Sequence, residues 1–297
     1  MKQKLAIVFS SLWLAIASAF GQDSTTVAEL QQLVEQARIV TIAHGRPATM
    51  SLGLDLGTSA VRNTYLVPLL YEGVNVGINF DRWRKMRHGK WNNQQIINVK
   101  FAFGDAESGR NSTMWSGRAT YRYAMHRQLA TYLEKAGMRL YLGPYAGAEI
   151  GYDYSLKTAG GNNPATMRLV GNVGASAVAN FDYRLFGKRC TFDLQLQMPL
   201  MGAGFMPEYG ASYYETFLLD NTKHNAHFTS LHNQQDLDVR AATNIPFSVL
   251  PCFGRSGSML RLGVYYHIET MDINHIVERY SSIGLCIGWT WRYLPIK

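Results

Sequence analysis

The sequence predicts an all-β fold: a transmembrane, antiparallel, up-and-down β-barrel of about ten strands. Three observations support this prediction. Apolar side chains alternate with glycine, polar and charged ones in one segment after another between residues 49 and 293. This is the pattern of strands with one face in lipid and one around a polar interior. Several segments exceed the roughly 9–11 residues that a tilted strand needs to cross a bilayer. A start that resembles an export signal comes before them.

The start carries the three regions of a secretory signal peptide, which we place at residues 1–21. Two lysines come before an apolar run over residues 5–17, and an Ala-Ser-Ala cleavage signal ends at Ala19. Cleavage is expected after Ala19 or after Gly21. The apolar run is too short to span a bilayer as a helix, so we expect the chain to be exported.

Residues 22–48 form a leader between the cleavage site and the first strand. Thr26 and Glu29 are spaced as in a capping box, and apolar residues follow them at helical spacing. We therefore expect a short helix in a periplasmic leader, followed by a barrel over residues 49–297.

The first five predicted strands each carry one apolar and one polar face. Their apolar faces take every second residue over 50–56, 74–80, 97–103, 115–123 and 140–152. In the first of them, Leu52 and Leu54 alternate with Gly53 and Asp55. A soluble barrel shows the same alternation turned inside out, but soluble strands usually have only about five or six residues. The length of the pattern therefore favours a membrane barrel.

Five more strands complete the barrel. Their alternating segments cover residues 169–183, 192–198, 228–249, 259–270 and 283–293. An even number of strands puts both chain ends on the same side of the membrane. Twelve strands are the alternative, if residues 213–219 and a partner segment span the membrane instead of lying in the longest loop.

The lengths of the connections predict the orientation of the barrel. Residues 185–188 and 87–91 form short connections, whereas 155–164 and 201–226, at the other ends of the strands, form longer ones. Periplasmic turns of such barrels are short and external loops are long. We therefore expect the outer membrane of a Gram-negative bacterium as the location, with both termini in the periplasm.

Aromatic and basic side chains at the strand ends are expected at the membrane interface. Trp83, Trp115 and Trp289 suit the aromatic girdles of such barrels. One dense basic run is expected to reach anionic lipid headgroups, with the side chains of Arg82, Arg84, Lys85 and Arg87. Outer-membrane lipids are therefore expected partners.

The polar faces of the strands predict a lumen in which the two signs of charge nearly balance. The expected lumen-lining residues are Arg118, Arg122, Arg139, Glu149, Asp153, Arg168, Asp182, Asp193, Arg240, Arg261, Glu269 and Arg292. An isolated buried ion costs several kcal/mol, so we expect these charges to form a salt-bridged core. Small barrels fill their interiors with side chains, and clear aqueous channels belong to barrels of about 16 strands or more. A narrow conduit for a small solute is the alternative.

One polar cluster, between residues 227 and 236, raises the question of catalysis. It contains His227, Ser230, His232 and Asp236, and a nucleophile and its base must come within hydrogen-bond reach of each other. The compact His-x-Ser arrangement of outer-membrane phospholipases is missing, as is Gly-x-Ser-x-Gly. The sequence therefore predicts no catalytic residues, with a lipid-modifying hydrolase as the alternative. We expect neither a metal site nor a cofactor.

The composition argues against a nucleic-acid partner and against a disulfide framework. The formal net charge is +8, but the lysines and arginines are scattered over many strands instead of forming one stripe. We therefore expect no binding of nucleic acid. Three cysteines are an odd number for a disulfide framework in an exported protein.

Three short motifs carry a family resemblance. They are Leu-Gly-Pro-Tyr-Ala-Gly at 142–147, Ser-Tyr-Tyr-Glu-Thr-Phe-Leu-Leu at 212–219 and Ser-Leu-His-Asn-Gln at 230–234. With these motifs and its predicted leader, the mature chain resembles the uncharacterised outer-membrane β-barrel proteins of Bacteroides-type genomes, and the resemblance implies no assigned activity. We expect a non-enzymatic barrel, inserted by the barrel-assembly machinery, that is structural, binds a surface ligand or conducts a small solute.

Overall fold

The computed structural model describes residues 48–86, 91–107, 112–129, 137–156, 164–207, 225–249 and 258–293. The expected signal peptide and the expected leader helix lie outside these residues. The chain divides into two compact units, Thr49–Trp291 and a second one made of Met1–Ala48 with Arg292–Lys297. Only three residues of the second unit are described, so the architecture below is that of the first.

The unit Thr49–Trp291 is built of antiparallel strands. Their bounds are β1 Ala48–Asn63, β2 Val67–Lys85, β3 Trp91–Ala106, β4 Thr113–Gln128, β5 Met138–Ser155, β6 Ala165–Leu185, β7 Lys188–Phe205, β8 Ala226–Ser230, β9 Gln234–Pro246, β10 Met259–Ile273 and β11 Ile276–Tyr293. A short 3₁₀ turn, Phe247–Val249, follows β9. No helix among the described residues combines the length and the apolar character needed to cross a membrane.

Neighbouring strands pair in sequence, and the sheet closes on itself. β1 pairs with β11 as well as with β2, and the pairing of β6 with β7 completes the ring. Strands β8 and β9 both pair with β7 and lie end to end, with a turn at residues 231–233 between them. The eleven strands therefore occupy ten strand positions around the ring, because β8 and β9 share one. The prediction of a ten-stranded barrel is confirmed, and the ring leaves no place for the two further strands of the alternative.

We call the end at which β1 begins and β11 ends the terminal end, and the opposite end the loop end. Two connections are two-residue hairpins. At the terminal end Phe186 and Gly187 have φ of 48° and 75°, and at the loop end Asn274 and His275 have φ of 54° and 62°. Two successive positive φ values suit the right-handed twist of a hairpin, and they fix the register on both sides.

The outward face of the barrel is apolar. Leu54 in β1, Val74 in β2 and Leu285 in β11 each expose 59% of their surface, whereas the inward Asp55 is fully buried. Leaving one such large apolar side chain in water costs about 1.5–3 kcal/mol. Because such residues recur around the barrel, the wall requires contact with lipid. The strands of 13–21 residues that cross the full wall are long enough to span the hydrocarbon at a tilt.

Candidate functional site: the barrel lumen

Charged side chains reach the lumen from the inward positions of most strands. Every second residue of a strand faces inward, so Arg118 and Arg122, with Thr120 between them on β4, lie on one face. Arg168 on β6 and Arg240 on β9 face the same interior. The carboxylates come mostly from other strands, so most ion pairs join strands across the lumen or side by side.

The loop-end ion network contains two arginines and four carboxylates. Arg118 donates to Asp153 at 2.9 Å and to Glu278. Arg168 donates to Glu149 and Glu269, and its second terminal nitrogen lies 3.3 Å from Glu278. Asp153 accepts two further hydrogen bonds, from Asn63 at 2.8 Å and Ser116 at 2.6 Å. Glu278 thus links the two arginines into one network.

The central ion network lies next to it. Arg122 pairs with Asp236 at 3.2 Å and with Asp238 at 3.3 Å. Arg240 pairs with Asp238 at 3.2 Å and with Asp55 at 3.4 Å. His267 contacts Asp236 through Nε2 at 2.9 Å. Each carboxylate therefore has a partner, as a buried charge requires.

Two aromatic residues fill the space beside these networks. The Lys100 ammonium lies 4.1 Å from the centre of the Tyr265 ring and 3.3 Å from the Ser282 hydroxyl. The Tyr265 hydroxyl donates to Asn75 at 2.5 Å. The Arg118 guanidinium lies 5.1 Å from the centre of the Tyr280 ring. Cation–π contacts of this kind stabilise cations that have lost water.

The terminal end of the lumen is also occupied. Asp193 accepts hydrogen bonds from Asn244 at 2.7 Å and from Arg261 at 3.2 Å. Trp83 stacks on His126 with ring centres 4.9 Å apart. His126 is fully buried, so Trp83 faces inward. The expectation that Trp83 belongs to the outer aromatic girdle is therefore wrong, because its odd position in β2 shares the inward face of Asp81.

Two apolar clusters lie inside the barrel at the loop end. The first contains the buried residues Val61, Tyr71, Ala102, Ala106, Met114 and Tyr280. The second contains Val170, Met206, Met271, Ile273 and Ile276. We call them the loop-end apolar clusters. The sequence analysis did not predict them, although the alternation of β10, extended by three residues, places Met271 and Ile273 on the inward face.

A small cavity lies between the two ion networks. It is lined by Asn98, Lys100, Arg118, Thr120, Arg122, Asp238 and His267, and its volume is about 10 Å³. This is about the space that one water molecule needs. This cavity therefore holds no solute larger than water.

The structure brings most of the expected lumen residues together. Arg118, Glu149, Asp153, Arg168 and Glu269 meet in the loop-end network, and Arg122 and Arg240 in the central one. Two pairs lie nearer the terminal end, where Arg261 contacts Asp193, and Arg139 donates to Asp182 at 2.9 Å. Arg292 holds an inward register position in β11, but its side chain is exposed.

The catalytic candidates do not form one site. Ser230 Oγ lies 2.5 Å from His232 Nδ1, and both are on or beside the turn between β8 and β9. Asp236 instead points into the lumen, where it binds Arg122 and His267. His227 is partly buried in β8. Among the residues that the structure describes, no group of three or more metal-binding side chains is placed to hold a metal ion.

The basic run is divided between the two faces of β2. Arg82 and Arg84 occupy outward positions, and Arg82 donates to Gln95 at 3.3 Å. Lys85 occupies an inward register position at the strand end and is exposed. Arg87 lies outside the described residues. The headgroup contacts expected for these side chains stay a prediction.

An apolar outer wall, a polar interior and ten membrane-length strand positions define a transmembrane β-barrel of the outer-membrane type. Within this class, the chain belongs to the family described as "Protein of unknown function (DUF3316)", whose family model matches residues 12–296. No curated protein matches the sequence.

Three solved structures are among those to which the chain is similar. The translocator domain of the autotransporter NalP from Neisseria meningitidis is 7% identical, with 89% of this chain and 97% of that one covered and a TM-score of 0.33. A major outer membrane protein from Thermus thermophilus is 12% identical, with coverage of 83% and 99% and a TM-score of 0.33. The transport unit of AIDA-I from Escherichia coli is 9% identical, with coverage of 84% and 90% and a TM-score of 0.32.

Proposed function

We propose that this protein is a non-enzymatic, non-conducting barrel of the Gram-negative outer membrane, which serves as a structural element and carries its ligand contacts on its surface. Both termini lie in the periplasm, and insertion depends on the barrel-assembly machinery. One observation supports the closed state most directly. Four arginines, Arg118, Arg122, Arg168 and Arg240, occupy the cross-section with their carboxylate partners and leave a cavity of about 10 Å³ between the networks.

The ion networks favour a closed lumen over a conduit for two reasons. A solute that passes must displace paired charges, and breaking a buried pair costs about 3–5 kcal/mol. The loop-end apolar clusters, with Tyr71 and Met271 both almost fully buried, add a second obstacle in the same path. Apart from the hydroxyls of Tyr71 and Tyr280, such a layer offers a hydrated ion nothing that replaces its water.

Planar-bilayer recording of the refolded protein tests this proposal. We expect no discrete conductance steps under an applied voltage, whereas a porin of about 16 strands reconstituted in the same way conducts. Folding of the protein in the bilayer is checked by the mobility difference between heated and unheated samples in a detergent gel. Discrete steps from folded wild-type protein contradict the closed lumen.

One observation favours a second candidate function, a lipid-modifying hydrolase. The Ser230 hydroxyl is in hydrogen-bond contact with the His232 imidazole beside two apolar side chains, Phe228 and Leu231, that are 65% and 44% exposed. A hydroxyl activated by a base next to lipid is the geometry that ester hydrolysis needs. However, the acid candidate of this cluster, Asp236, is bound by Arg122 and His267.

Release of fatty acid from outer-membrane lipid vesicles tests the second candidate. We compare wild-type protein with the variants Ser230→Ala and His232→Ala. We expect no release above the background in all three samples, because the acid predicted to orient the imidazole is held in the lumen. Release by the wild type that both variants abolish supports the hydrolase and contradicts a non-enzymatic barrel.

A further inference from the structure

A hollow of about 560 Å³ lies on the outer wall of the barrel, across β1, β2, β10 and β11. It is lined by Thr58, Ser59, Ala60, Glu72, Gly73, Val74, Tyr266, Ser281, Ser282 and Ile283. Its volume is within the range of about 300–1,000 Å³ that is typical of small-ligand sites. The hollow opens on the outer wall, and the closed lumen does not account for it.

The hollow exists because two adjacent strands carry small side chains between larger ones. Thr64 N donates to Val277 O, and Gly57 lies against Gly284, so the register of β1 with β11 places Ala60 opposite Ser281. These two residues form part of the floor of the hollow, and Tyr266 on β10 and Val74 on β2 line its sides. The hollow is thus fixed by the sheet and not by a loop.

The hollow crosses the border of the apolar belt at the loop end. Val74 and Ile283 are large apolar residues with exposures of 59% and 57%. The next outward positions toward the loop end are polar, with Glu72 after Val74 and Ser281 after Ile283. One half of the hollow therefore faces lipid tails, and the other half lies at the level of headgroups.

Two arginines stand next to the polar half of the hollow. Arg62 and Arg279 are the next outward residues after Ala60 and Ser281, about 7 Å further along their strands. The register that pairs Ala60 with Ser281 also places them opposite each other. Among the described residues neither guanidinium has an ion-pair partner, and Arg62 Nε is buried without a hydrogen-bond partner. Within that part of the chain, the two positive charges therefore lack a counter-ion.

Glu72 gives the hollow a charge of the opposite sign. Its side chain is exposed on the β2 wall and has no ion-pair partner in the described part of the chain. The nearest acid across the strand pair, Asp105, accepts a hydrogen bond from Thr113 at 2.7 Å. The hollow is therefore bordered by two cations and one free carboxylate above an apolar half.

We propose that this hollow binds one glycerophospholipid whose headgroup carries both a phosphate and a free ammonium, as in phosphatidylethanolamine. Arg62 and Arg279 bind the phosphate, since paired guanidinium groups make charge-assisted hydrogen bonds to phosphate oxygens. Glu72 accepts from the ammonium. An acyl chain lies over Val74, Tyr266 and Ile283, where contact with the wall shields apolar surface. The inference is independent of whether the lumen conducts.

Native mass spectrometry of the detergent-solubilised, folded protein tests the proposal with three lipids. The probes are phosphatidylethanolamine, phosphatidylglycerol, which lacks the ammonium, and phosphatidylcholine, whose ammonium cannot donate. We expect the wild type to retain phosphatidylethanolamine about tenfold better than either of the others, because a charge-assisted hydrogen bond contributes enough free energy for this ratio.

Three variants make the test specific. The double variant Arg62→Ala/Arg279→Ala should lose about tenfold in retention of both phosphatidylethanolamine and phosphatidylglycerol. The conservative variant Glu72→Gln should remove the preference for phosphatidylethanolamine while retention of phosphatidylglycerol is kept. The control Arg127→Ala/Lys188→Ala removes the same charge from exposed positions at the terminal end, and it should behave as the wild type.

Two outcomes overturn the proposal. In one, the control variant loses phosphatidylethanolamine as strongly as Arg62→Ala/Arg279→Ala does, which shows attraction by general charge only. In the other, Glu72→Gln keeps the wild-type preference for phosphatidylethanolamine, which shows that Glu72 does not bind the ammonium. Conductance of the wild-type barrel is recorded on the same preparation, so a failure of the closed-lumen proposal is seen separately.

Discussion

At the scale of single residues, Arg168 is the side chain on which most of the loop-end network depends. It is 2% exposed and contacts three carboxylates, those of Glu149, Glu269 and Glu278. Each carboxylate was brought out of water on folding, and the arginine is the shared cation that offsets this cost. Its loss leaves buried negative charges that repel one another.

We therefore expect Arg168→Met to lower the free energy of unfolding by about 3–5 kcal/mol. Arg139→Met is the matched control, because the Arg139 side chain is 31% exposed and its single pair with Asp182 is worth about 1 kcal/mol or less. Urea unfolding in lipid vesicles, followed by tryptophan fluorescence, measures both. Equal losses in the two variants contradict the role of Arg168.

At the scale of elements, the approach of β1 to β11 depends on a pair of glycines. A Cβ placed on Gly284 lies 2.3 Å from Leu56 O and 2.6 Å from Gly57 Cα. These are backbone atoms, so a methyl group there forces one strand to move. The same strand pair also forms the floor of the outer-wall hollow, which links the packing of β1 against β11 to the proposed lipid site.

We expect Gly284→Ala to destabilise the barrel by about 1–3 kcal/mol, as overpacking does. Gly171→Ala adds the same methyl group on β6, where a Cβ meets nothing within 4 Å, and it should be nearly neutral. The measurement is the temperature at which the folded band disappears from an unheated detergent gel. A drop of equal size for the two variants shows that the tight contact with β1 is not the cause.

Sequence alternation predicted the strands well and their partners poorly. The period of two depends only on local chain geometry, so the inward face of β4, with Arg118 and Arg122, follows directly from the sequence. The partners depend on how strands stagger around the closed ring, which the alternation does not encode. For this reason Asp236 was placed with Ser230, whereas the ring brings it to Arg122 and His267.

The break between β8 and β9 shows a second limit. The turn at residues 231–233 interrupts one strand position without any glycine or proline, the usual sequence signals of a turn. Asn233 stabilises it instead, since its side chain accepts from Ser230 N at 2.8 Å and donates to Phe228 O at 2.9 Å. These side-chain bonds to the backbone replace ladder bonds locally. A continuous strand was therefore predicted where two occur.

At the scale of the whole molecule, the proposed closed lumen rests on two layers in series. The loop-end apolar clusters offer an ion few polar contacts, and the ion networks place paired side chains across the section. On this proposal, either layer alone blocks a path. This arrangement predicts that a conducting barrel requires changes in both layers at once.

Three variants test this arrangement in planar bilayers. The first variant shortens three side chains of the first apolar cluster and is Tyr71→Ala/Met114→Ala/Tyr280→Ala. The second variant removes both partners of one ion pair and is Arg118→Ser/Asp153→Ser. Glu278, the other partner of Arg118, keeps its contact with Arg168, so the barrel should still fold. The third combines the two sets. We expect no conductance from the first two variants and discrete conductance steps only from the third.

Two outcomes contradict this arrangement. Conductance steps of full size from the first variant alone contradict a role of the ion networks in closing the lumen. If the combined variant folds but does not conduct, the lumen is closed elsewhere in the barrel.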